Sequence, residues 1–371
     1  MKKIHLFCLL AVSLALLPNI RIASGERALW MSKIDATLIN IEGESVEFLL
    51  ILDEQGDVSN ARLMHSKAER GQFVYETLTA VAMQTQAPII EEIESLGWSY
   101  RSFWIQNMIL VEGDWQAIQQ LAQRPDIASV LANPQTALAI LPTEERLPLQ
   151  NQGGIVEWNL SKIRADIVWE MGITGQGVVI GGQDTGYNWM HPGLINQYRG
   201  WDGNTAVHDY NWHDTISSGG NSTCGSSSPE PCDDFFSTHG THTMGTAVGT
   251  DGVTHTGVAP GAEWIGCRNM NAGNGSPATY TECYEWFVAP YPIGGDPMLD
   301  GDPSKAPHVI NNSWSCPASE GCSPTSMQAI VKNVRAAGIV TVHSAGNSGP
   351  SCNTVSNPAG HFQDSFTVGS T

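Results

Sequence analysis

Basic residues are scarce in this sequence. The 371 residues include 18 Lys and Arg against 37 Asp and Glu, which gives a formal net charge of −19. The acidic excess lies both before and after residue 150. Nucleic-acid phosphates attract positively charged surfaces, so this acidic composition excludes a nucleic-acid partner. It is typical of a soluble extracellular protein.

Long apolar runs are also lacking, apart from one at the N-terminus. Residues 4–17 are apolar, follow Lys2 and Lys3, and precede the small residues of the segment 23–25. This order is typical of a secretory signal peptide, which we assign to residues 1–25. The run is too short to span a bilayer stably, so a transmembrane anchor is the weaker alternative. We therefore expect a secreted protein with no membrane attachment after signal cleavage.

Cysteine is absent between Cys8 and Cys224. In an exported chain, disulfides are the default for the cysteines that follow. Closeness in sequence suggests three pairs, although spacing does not fix connectivity: Cys224–Cys232, Cys267–Cys283 and Cys316–Cys322. Seven cysteines follow residue 220, so an odd one must have its partner elsewhere. None of them forms a zinc-type C-x-x-C pair.

Residues 26–140 are poor in glycine and show clear periodicity. We predict strands at residues 45–53, 101–111 and 127–131, a long helix at 67–96 with a kink at Pro88, and a helix capped by Asp114 that runs to Gln123. Strands interleaved with two helices indicate a small α+β unit. The polar, proline-bearing residues 141–154 are interpreted as a linker.

From residue 155 to 371 the chain alternates glycine-rich loops with short apolar strands. Strands are predicted at 177–182, 309–310, 338–342 and 366–368, and helices at 241–248 and 326–337. Alternating strands and helices favour an α/β fold with an open, mostly parallel sheet flanked by helices. In such sheets, reactive groups gather beyond the carboxyl ends of the strands.

Three polar residues follow such strands or open a helix: Asp184, His239 and Asn347. Each has a plain structural alternative. Asp184 can form an Asx turn, His239 can be a structural histidine or a metal ligand with His242, and Asn347 can be a loop asparagine between glycines. The metal alternative lacks an H-E-x-x-H motif and a third ligand.

Together, in this order, these motifs resemble the subtilase family of serine peptidases. The aspartate motif lies at Asp184, a His-Gly-Thr-His motif begins at His239, and an Ala-Gly-Asn motif ends at Asn347. The strand at 309–313 and the segment 257–262 also match, and the segments 198–201, 210–214 and 231–234 resemble the bacillopeptidase F branch. Residues 26–140 resemble the family's ferredoxin-like propeptide, with a helix longer than usual.

The resemblance implies roles for individual residues. Asp184 would orient His239, His239 would act as general base and acid, and Asn347 would stabilise the oxyanion. Substrate would bind along an edge strand and the loop before the asparagine, made by Ser313, Trp314, Ser315, Ser344, Ala345 and Gly346. We expect Trp314 to wall the substrate groove; a packed core tryptophan is the alternative.

Partners and cofactors follow from the same resemblance. The substrates would be proteins or peptides, and residues 26–140 would act as an intramolecular inhibitor. No cofactor or catalytic metal is required. The family often binds structural calcium, but the acidic loops present no ligand spacing that would place it.

The sequence departs from the family pattern in two places. Ser315 stands where glycine is usual, which affects the entry to the specificity pocket. The nucleophilic serine belongs to a Gly-Thr-Ser-Met-Ala segment that would follow Asn347, and the sequence reaches Thr371 without it. We therefore expect these residues alone to be catalytically silent.

Ser326 lies in Thr-Ser-Met-Gln-Ala, which looks like the serine motif but precedes Asn347. It lacks the preceding glycine, and we expect Ser323, Thr325 or Ser326 to cap a helix at the far end of its unit from Asn347. Three alternatives to a triad peptidase remain: a non-catalytic peptide-binding relative, a sedolisin-type acid peptidase, against which His239 argues, and a metal-dependent hydrolase.

Overall fold

The computed structural model describes residues 26–369 except 40, 42, 44, 139–155, 221–222, 235–237 and 356–357. The predicted signal peptide at 1–25 and the predicted linker at 141–154 lie outside the described residues. Within the described part of the chain, no helix is both long enough and apolar enough to cross a membrane.

Residues 26–138 form an antiparallel sheet covered by helices. The helices are α1 (Glu26–Met31), α2 (Lys67–Ser95) and α3 (Trp115–Ala122). The strands are β1 (Val46–Leu52), β2 (Ser99–Phe103), β3 (Met108–Gly113), β4 (Ile127–Ala132) and the short β5 (Thr136–Ala137). The sheet order β2-β3-β1-β4 and the sequence order β-α-β-β-α-β give the ferredoxin-like arrangement expected from the sequence.

Local capping fixes the helix boundaries of this unit. Ser66 and Glu69 form a capping box at the start of α2, in which each side chain bonds the other residue's backbone N–H. Asp114 accepts a hydrogen bond from the backbone N–H of Ala117 and caps α3, as predicted. The long helix is confirmed and remains continuous through the exposed Pro88.

The single strand predicted at 101–111 is wrong. The chain reverses between Phe103 and Met108, which pair across the hairpin of β2 and β3. The side-chain amide of the buried Asn107 donates to the carbonyl oxygen of Glu54 at 2.7 Å and so holds the turn from within. Trp104 and Ile105 at the start of the turn are apolar because they pack inward, and that hides the reversal from a pattern argument.

Residues 156–369 form the second unit, built on a parallel sheet. Its strands are β6 (Val179–Asp184), β7 (Trp212–Asp214), β8 (Glu263–Arg268), β9 (Asn274–Gly275), β10 (Val309–Asn312), β11 (Val340–Ser344) and β12 (Ser365–Val368). Its helices are α4 (Trp158–Lys162), α5 (Ala165–Glu170), α6 (His239–Val248), α7 (Pro277–Val288) and α8 (Gln328–Ala336). The described sheet has the order β12-β11-β10-β6-β8-β7, and every pair in it is parallel. The predicted open parallel sheet flanked by helices is confirmed.

Three disulfides join the cysteine pairs that are close in sequence. They are Cys224–Cys232, Cys267–Cys283 and Cys316–Cys322. The bridge at Cys267 ties β8 to α7, and both of its residues are fully buried. Cys352 is exposed and belongs to no disulfide.

The two units share one hydrophobic core. Tyr75 and Trp104 of the first unit belong to the same buried cluster as Trp286 and Ile310 of the second. A two-stranded pairing of β5 with β9 also joins them. The first unit has a separate core of its own, in which Phe48 packs with residues of α2 and α3.

Candidate active site

Asp184 lies at the carboxyl end of the central strand β6. Its carboxylate is fully buried, and Oδ1 accepts a hydrogen bond from the backbone N–H of Thr185 at 2.7 Å. Oδ2 accepts a hydrogen bond from the hydroxyl of Thr243 at 3.3 Å. Contacts on both oxygens leave the carboxylate little rotational freedom, which a residue that orients another side chain requires.

His239 is the first residue of α6 and faces Asp184. Nδ1 of its ring lies 2.7 Å from Oδ1 of Asp184. A Cβ on Gly240 would collide with the carbonyl of Gly186 and lie 3.1 Å from Cβ of Asp184, so glycine permits this close approach of helix and strand. The His239 side chain keeps 27% of its surface exposed, so the imidazole remains accessible from solution.

The electrostatic surroundings of His239 favour its charged form. Burial lowers the pKa of His239, but the hydrogen bond and negative charge of Asp184, together with the charge of Asp233, outweigh burial and raise the pKa above its usual value. Asp184 therefore both fixes the position of the ring and stabilises the imidazolium.

Asp233 is a site residue that the sequence analysis did not single out. One carboxylate oxygen accepts the Thr185 hydroxyl at 2.8 Å, and the other accepts the hydroxyl and backbone N–H of Thr241 at 2.7 and 3.0 Å. It thus bonds the residue after Asp184 and the second residue after His239. The only signal in the sequence was the acidic pair that follows Cys232.

Arg268, at the end of β8, holds the loop that carries Asp233. Its guanidinium is completely buried, and it bonds Asp214 at 3.0 Å and Asp234. Arg268 also donates to the carbonyl oxygen of Gly225 at 3.0 Å. Nothing in the local sequence indicates this pairing, because the partners come from three separate segments.

A chain of buried side-chain amides runs across the sheet next to Asp184. Asn269 donates to Gln183 at 2.9 Å, Gln183 donates to Asn312 at 2.6 Å, and Asn312 donates to the carbonyl oxygen of Val342 at 2.9 Å. The backbone N–H of Asn269 also donates to the carbonyl oxygen of Asp184 at 3.0 Å. Since buried amides must be paired, this chain fixes the relative positions of four neighbouring strands.

The residues of the Ala-Gly-Asn segment follow the end of β11. The N–H of Ala345 donates to the carbonyl oxygen of Val368 at 2.8 Å, Gly346 has φ +83°, and Ser344 and Asn347 are exposed. Because β6, β10 and β11 are parallel, Asn347 emerges at the same edge of the sheet as Asp184.

The segment after β10 differs from the expectation of an edge strand. β10 lies inside the sheet and ends at Asn312, so Ser313, Trp314 and Ser315 follow it as irregular chain. Ser313 and Ser315 are half-buried, and the Ser313 hydroxyl accepts a hydrogen bond from the side-chain amide of Asn311 at 3.0 Å.

The structure places the Trp314 side chain in the core and not on an open groove wall. Its indole is 3% exposed, stacks on Tyr280 with ring centroids 3.8 Å apart, and meets the edge of His343. Burial lowers the pKa of His343 to about 3, so this neighbour is neutral. The packed-core alternative therefore describes Trp314 in this structure, because aromatic stacking buries it more fully than a groove would.

The turn around Ser326 corrects two expectations. Helix α8 begins after Met327, a residue at φ +67°, and no side chain caps it. Since α8 connects β10 to the parallel β11, it starts at the carboxyl edge of the sheet, so Ser326 lies at the same edge as Asn347 and not at the far end. The expected cap is absent because Met327, whose side chain has no oxygen acceptor, occupies the N-cap position, while Ser326 lies in the preceding turn, where its N–H donates to the carbonyl oxygen of Ser323.

The metal alternative finds no support in the described residues. They contain no group of three or more His, Cys, Asp and Glu side chains that could hold a metal ion. His242 is exposed on α6. The described residues likewise offer no carboxylate cluster that would fit calcium.

Comparison with known proteins gives consistent relatives. The chain is 33% identical over 286 residues to bacillopeptidase F of Bacillus subtilis, a match that covers 73% of this chain and 18% of the relative. It is 28% identical over 236 residues to an alkaline protease of Alkalihalobacillus alcalophilus, covering 63% of this chain and 50% of that protein. The chain thus spans half or less of the length of these relatives.

A solved structure shares the fold. The epidermin leader peptide processing serine protease of Staphylococcus aureus aligns with a TM-score of 0.53 and 14% identity, covering 88% of this chain and 70% of that one. The subtilase family model matches residues 175–371, more than half of the sequence. The chain therefore belongs to the subtilase family.

Proposed function

We propose that this protein is a secreted serine endopeptidase that hydrolyses peptide bonds through an Asp-His-Ser triad and is made as an inhibited precursor. The observation that carries the proposal is the 2.7 Å contact between Nδ1 of His239 and Oδ1 of Asp184 at the carboxyl edge of the sheet. The nucleophilic serine would come from a Gly-Thr-Ser-Met-Ala segment, which these residues do not contain.

The chemistry follows from the position of each group. Asp184 holds Nδ1 of His239, so Nε2 is the nitrogen left to take the serine proton and later to give it to the leaving amine. The positive charge that develops on the ring is stabilised by the same carboxylate contact that raises the pKa of His239. Asn347 would donate its side-chain amide to the oxyanion of the tetrahedral intermediate.

Residues 26–140 would act as the propeptide that inhibits the peptidase. The first unit supports this proposal, because the turn between β2 and β3 (residues 104–107) packs into the second unit. One carboxyl oxygen of Glu285 accepts the N–H groups of Trp104 and Ile105 at 2.6 and 3.1 Å, and the carbonyl oxygen of Ile105 accepts a hydrogen bond from the Asn333 side chain at 2.7 Å. An interface with buried polar contacts of this kind favours a specific pairing over loose tethering.

The test uses a gene product extended beyond Thr371 to include the serine segment. His239→Ala is expected to abolish both proteolysis and self-removal of residues 26–140. Asp184→Asn should keep the fold and lower turnover by roughly 10⁴-fold, as in the general triad template. Asn347→Ala should lower turnover by roughly 10²–10³-fold, the loss that follows removal of the corresponding oxyanion donor in subtilisin. Normal turnover in the His239 or Asp184 variant would end the triad assignment.

A non-catalytic peptide-binding relative is distinguished by the same experiment. An extended product that folds, binds peptides and never cleaves them would favour that function.

A further inference from the structure

The two halves of helix α2 pack against different parts of the molecule. Ile89 and Ile93 in the second half belong to the separate core of the first unit. Val74 and Tyr75 in the first half belong to the core that is shared with the second unit. The apolar face on the first half of this unusually long helix is therefore buried partly by the second unit.

A loop of the second unit meets this face. Residues 289–306 form most of the connection between α7 and β10, and we refer to them as the docking loop. The Tyr75 hydroxyl donates to the carbonyl oxygen of Pro297 at 3.3 Å and accepts the N–H of Gly301 at 3.1 Å. Lys67, at the start of the helix, donates to the carbonyl oxygen of Ala306 at 2.8 Å. Polar contacts therefore bind the helix to the middle and to the last residue of the loop.

Two glycines allow helix and loop to come this close. A Cβ on Gly71 would lie 3.1 Å from Cβ of Pro303, and a Cβ on Gly301 would lie 2.8 Å from the Tyr75 ring. Gly71 is buried in the second turn of the helix, where glycine has an unfavourable intrinsic propensity. Its presence is explained by the approach of Pro303 and not by the needs of the helix.

We propose that the docking loop recognises the first half of α2 and makes the peptidase selective for its own propeptide. The inference rests on the proposed role of residues 26–140 as the propeptide. A helix with a larger side chain at position 71 would collide with Pro303, and a helix without the Tyr75 hydroxyl would leave the Gly301 N–H unpaired. Selectivity thus combines an attractive contact with a steric exclusion.

The experiment measures association of the two units in the 371-residue chain. A specific protease site is inserted between residues 139 and 155, the purified chain is cut, and the dissociation constant of the two fragments is determined by titration after separation. Tyr75→Phe and Gly71→Leu are compared with Gln72→Leu, an exposed position on the same turn of the helix. Thermal unfolding of each separated first fragment is measured in parallel.

Gly71→Leu is expected to weaken association at least tenfold while the separated first fragment becomes no less stable, because leucine favours the helix more than glycine does. Tyr75→Phe is expected to weaken association severalfold, and Gln72→Leu to leave it unchanged. Equal affinity of all three variants and the parent would overturn the inference while leaving the propeptide proposal intact. Fragments that never associate would overturn both, whereas the triad proposal is decided by catalytic activity alone.

Discussion

Oδ1 of Asp184 and Nδ1 of His239 lie 2.7 Å apart although the two residues are 55 positions apart in the sequence. Asp184 is the last residue of strand β6, and His239 is the first residue of helix α6. Asp233 accepts hydrogen bonds from the hydroxyls of Thr185, which follows Asp184, and Thr241, which lies two residues after His239. These bonds hold the pair from one side.

Removing the Asp184 charge should lower the pKa of His239. Asp184→Asn deletes the dominant influence that raises this pKa and leaves burial, which lowers it. Histidine-selective NMR titration of the 371-residue chain measures the change, and Asp233→Asn should produce a smaller decrease. An unchanged titration of His239 in Asp184→Asn would contradict the electrostatic account of the site.

The same pair makes stability depend on pH. The folded pKa of His239 is raised above the ordinary 6.5, so its stabilising contribution is complete below that value and is lost as pH rises through the folded pKa. Asp184→Asn should flatten this part of the curve, which denaturant unfolding at several pH values would show.

Association of the two units should weaken as pH rises. Burial raises the pKa of Glu285 to about 8, although the N–H groups of Trp104 and Ile105 oppose the rise. Separation would open Glu285 to water, so we expect its pKa to return toward the ordinary 4.5 in the separated fragment. Between these two pKa values, Glu285 keeps a proton in the associated units that it loses in the separated fragment. The stabilisation that this proton gives to association is therefore lost as the pH rises toward 8.

Glu285→Gln keeps an acceptor for both N–H groups and removes the titration. For the parent chain, the dissociation constant of the cut fragments should increase roughly tenfold or more between pH 5 and 8, and for Glu285→Gln it should stay level. The exposed Glu263 provides the control, since Glu263→Gln should behave like the parent. A pH dependence that persists in Glu285→Gln would assign the effect to another group.

Trp314→Ala should destabilise the protein strongly. The indole is buried and stacked on Tyr280, so its removal leaves a cavity that costs about 3–5 kcal/mol in the free energy of unfolding. Trp158→Ala is the matched control, because Trp158 is 73% exposed and its loss should cost under about 0.5 kcal/mol. In an extended active product, Trp314→Ala should not change which peptides are cut; a changed cleavage pattern would restore the groove-wall interpretation.

Loss of the Cys267–Cys283 disulfide should lower stability by about 3 kcal/mol. The bridge joins residues 16 positions apart and so restricts the conformational entropy of the unfolded chain. Opening the bridge restores that entropy and favours unfolding. The double variant to alanine, studied by thermal unfolding, tests the value. Cys352→Ser should leave the melting temperature unchanged, since this cysteine is exposed and in no disulfide; equal melting of all three proteins would mean that the bridge is not formed in solution.

An active-site phosphonate should not label the 371-residue chain. Ser326 lies at the reactive edge of the sheet, but it precedes Asn347 in the chain and sits in a turn closed by its own backbone. An extended product with the Gly-Thr-Ser-Met segment should be labelled, and mass spectrometry would locate the adduct. Stoichiometric labelling at Ser326 would overturn the assignment of the nucleophile to a later segment.

Much of the local structure could be predicted from the sequence. Capping at Asp114, helical periodicity and apolar runs of strand length act over a few residues, so they predicted α2, α3, β1, β4 and four of the six strands of the parallel sheet. The hairpin at Trp104 escaped because its turn is buried, and the apolar Trp104 and Ile105 continue the strand pattern into it, with Asn107 as its one residue of a type that commonly marks turns.

The residues of the site also fall into two groups, those that the sequence indicated and those that only the structure revealed. Asp184, His239 and Asn347 could be proposed as site residues because each stands in a short motif beside a strand or helix end. Asp233, Arg268 and the amide chain through Gln183 could not, because each acts through partners from distant segments that meet only when the sheet assembles.

Trp314 shows the physical reason for this limit. Its position after a strand was readable in the sequence, but the direction of its side chain depends on Tyr280 and His343, which other elements bring to it. Short-range hydrogen bonding and backbone preference are encoded locally and determine the secondary structure. Burial and charge pairing are properties of the assembled chain, and only the tertiary structure decides them.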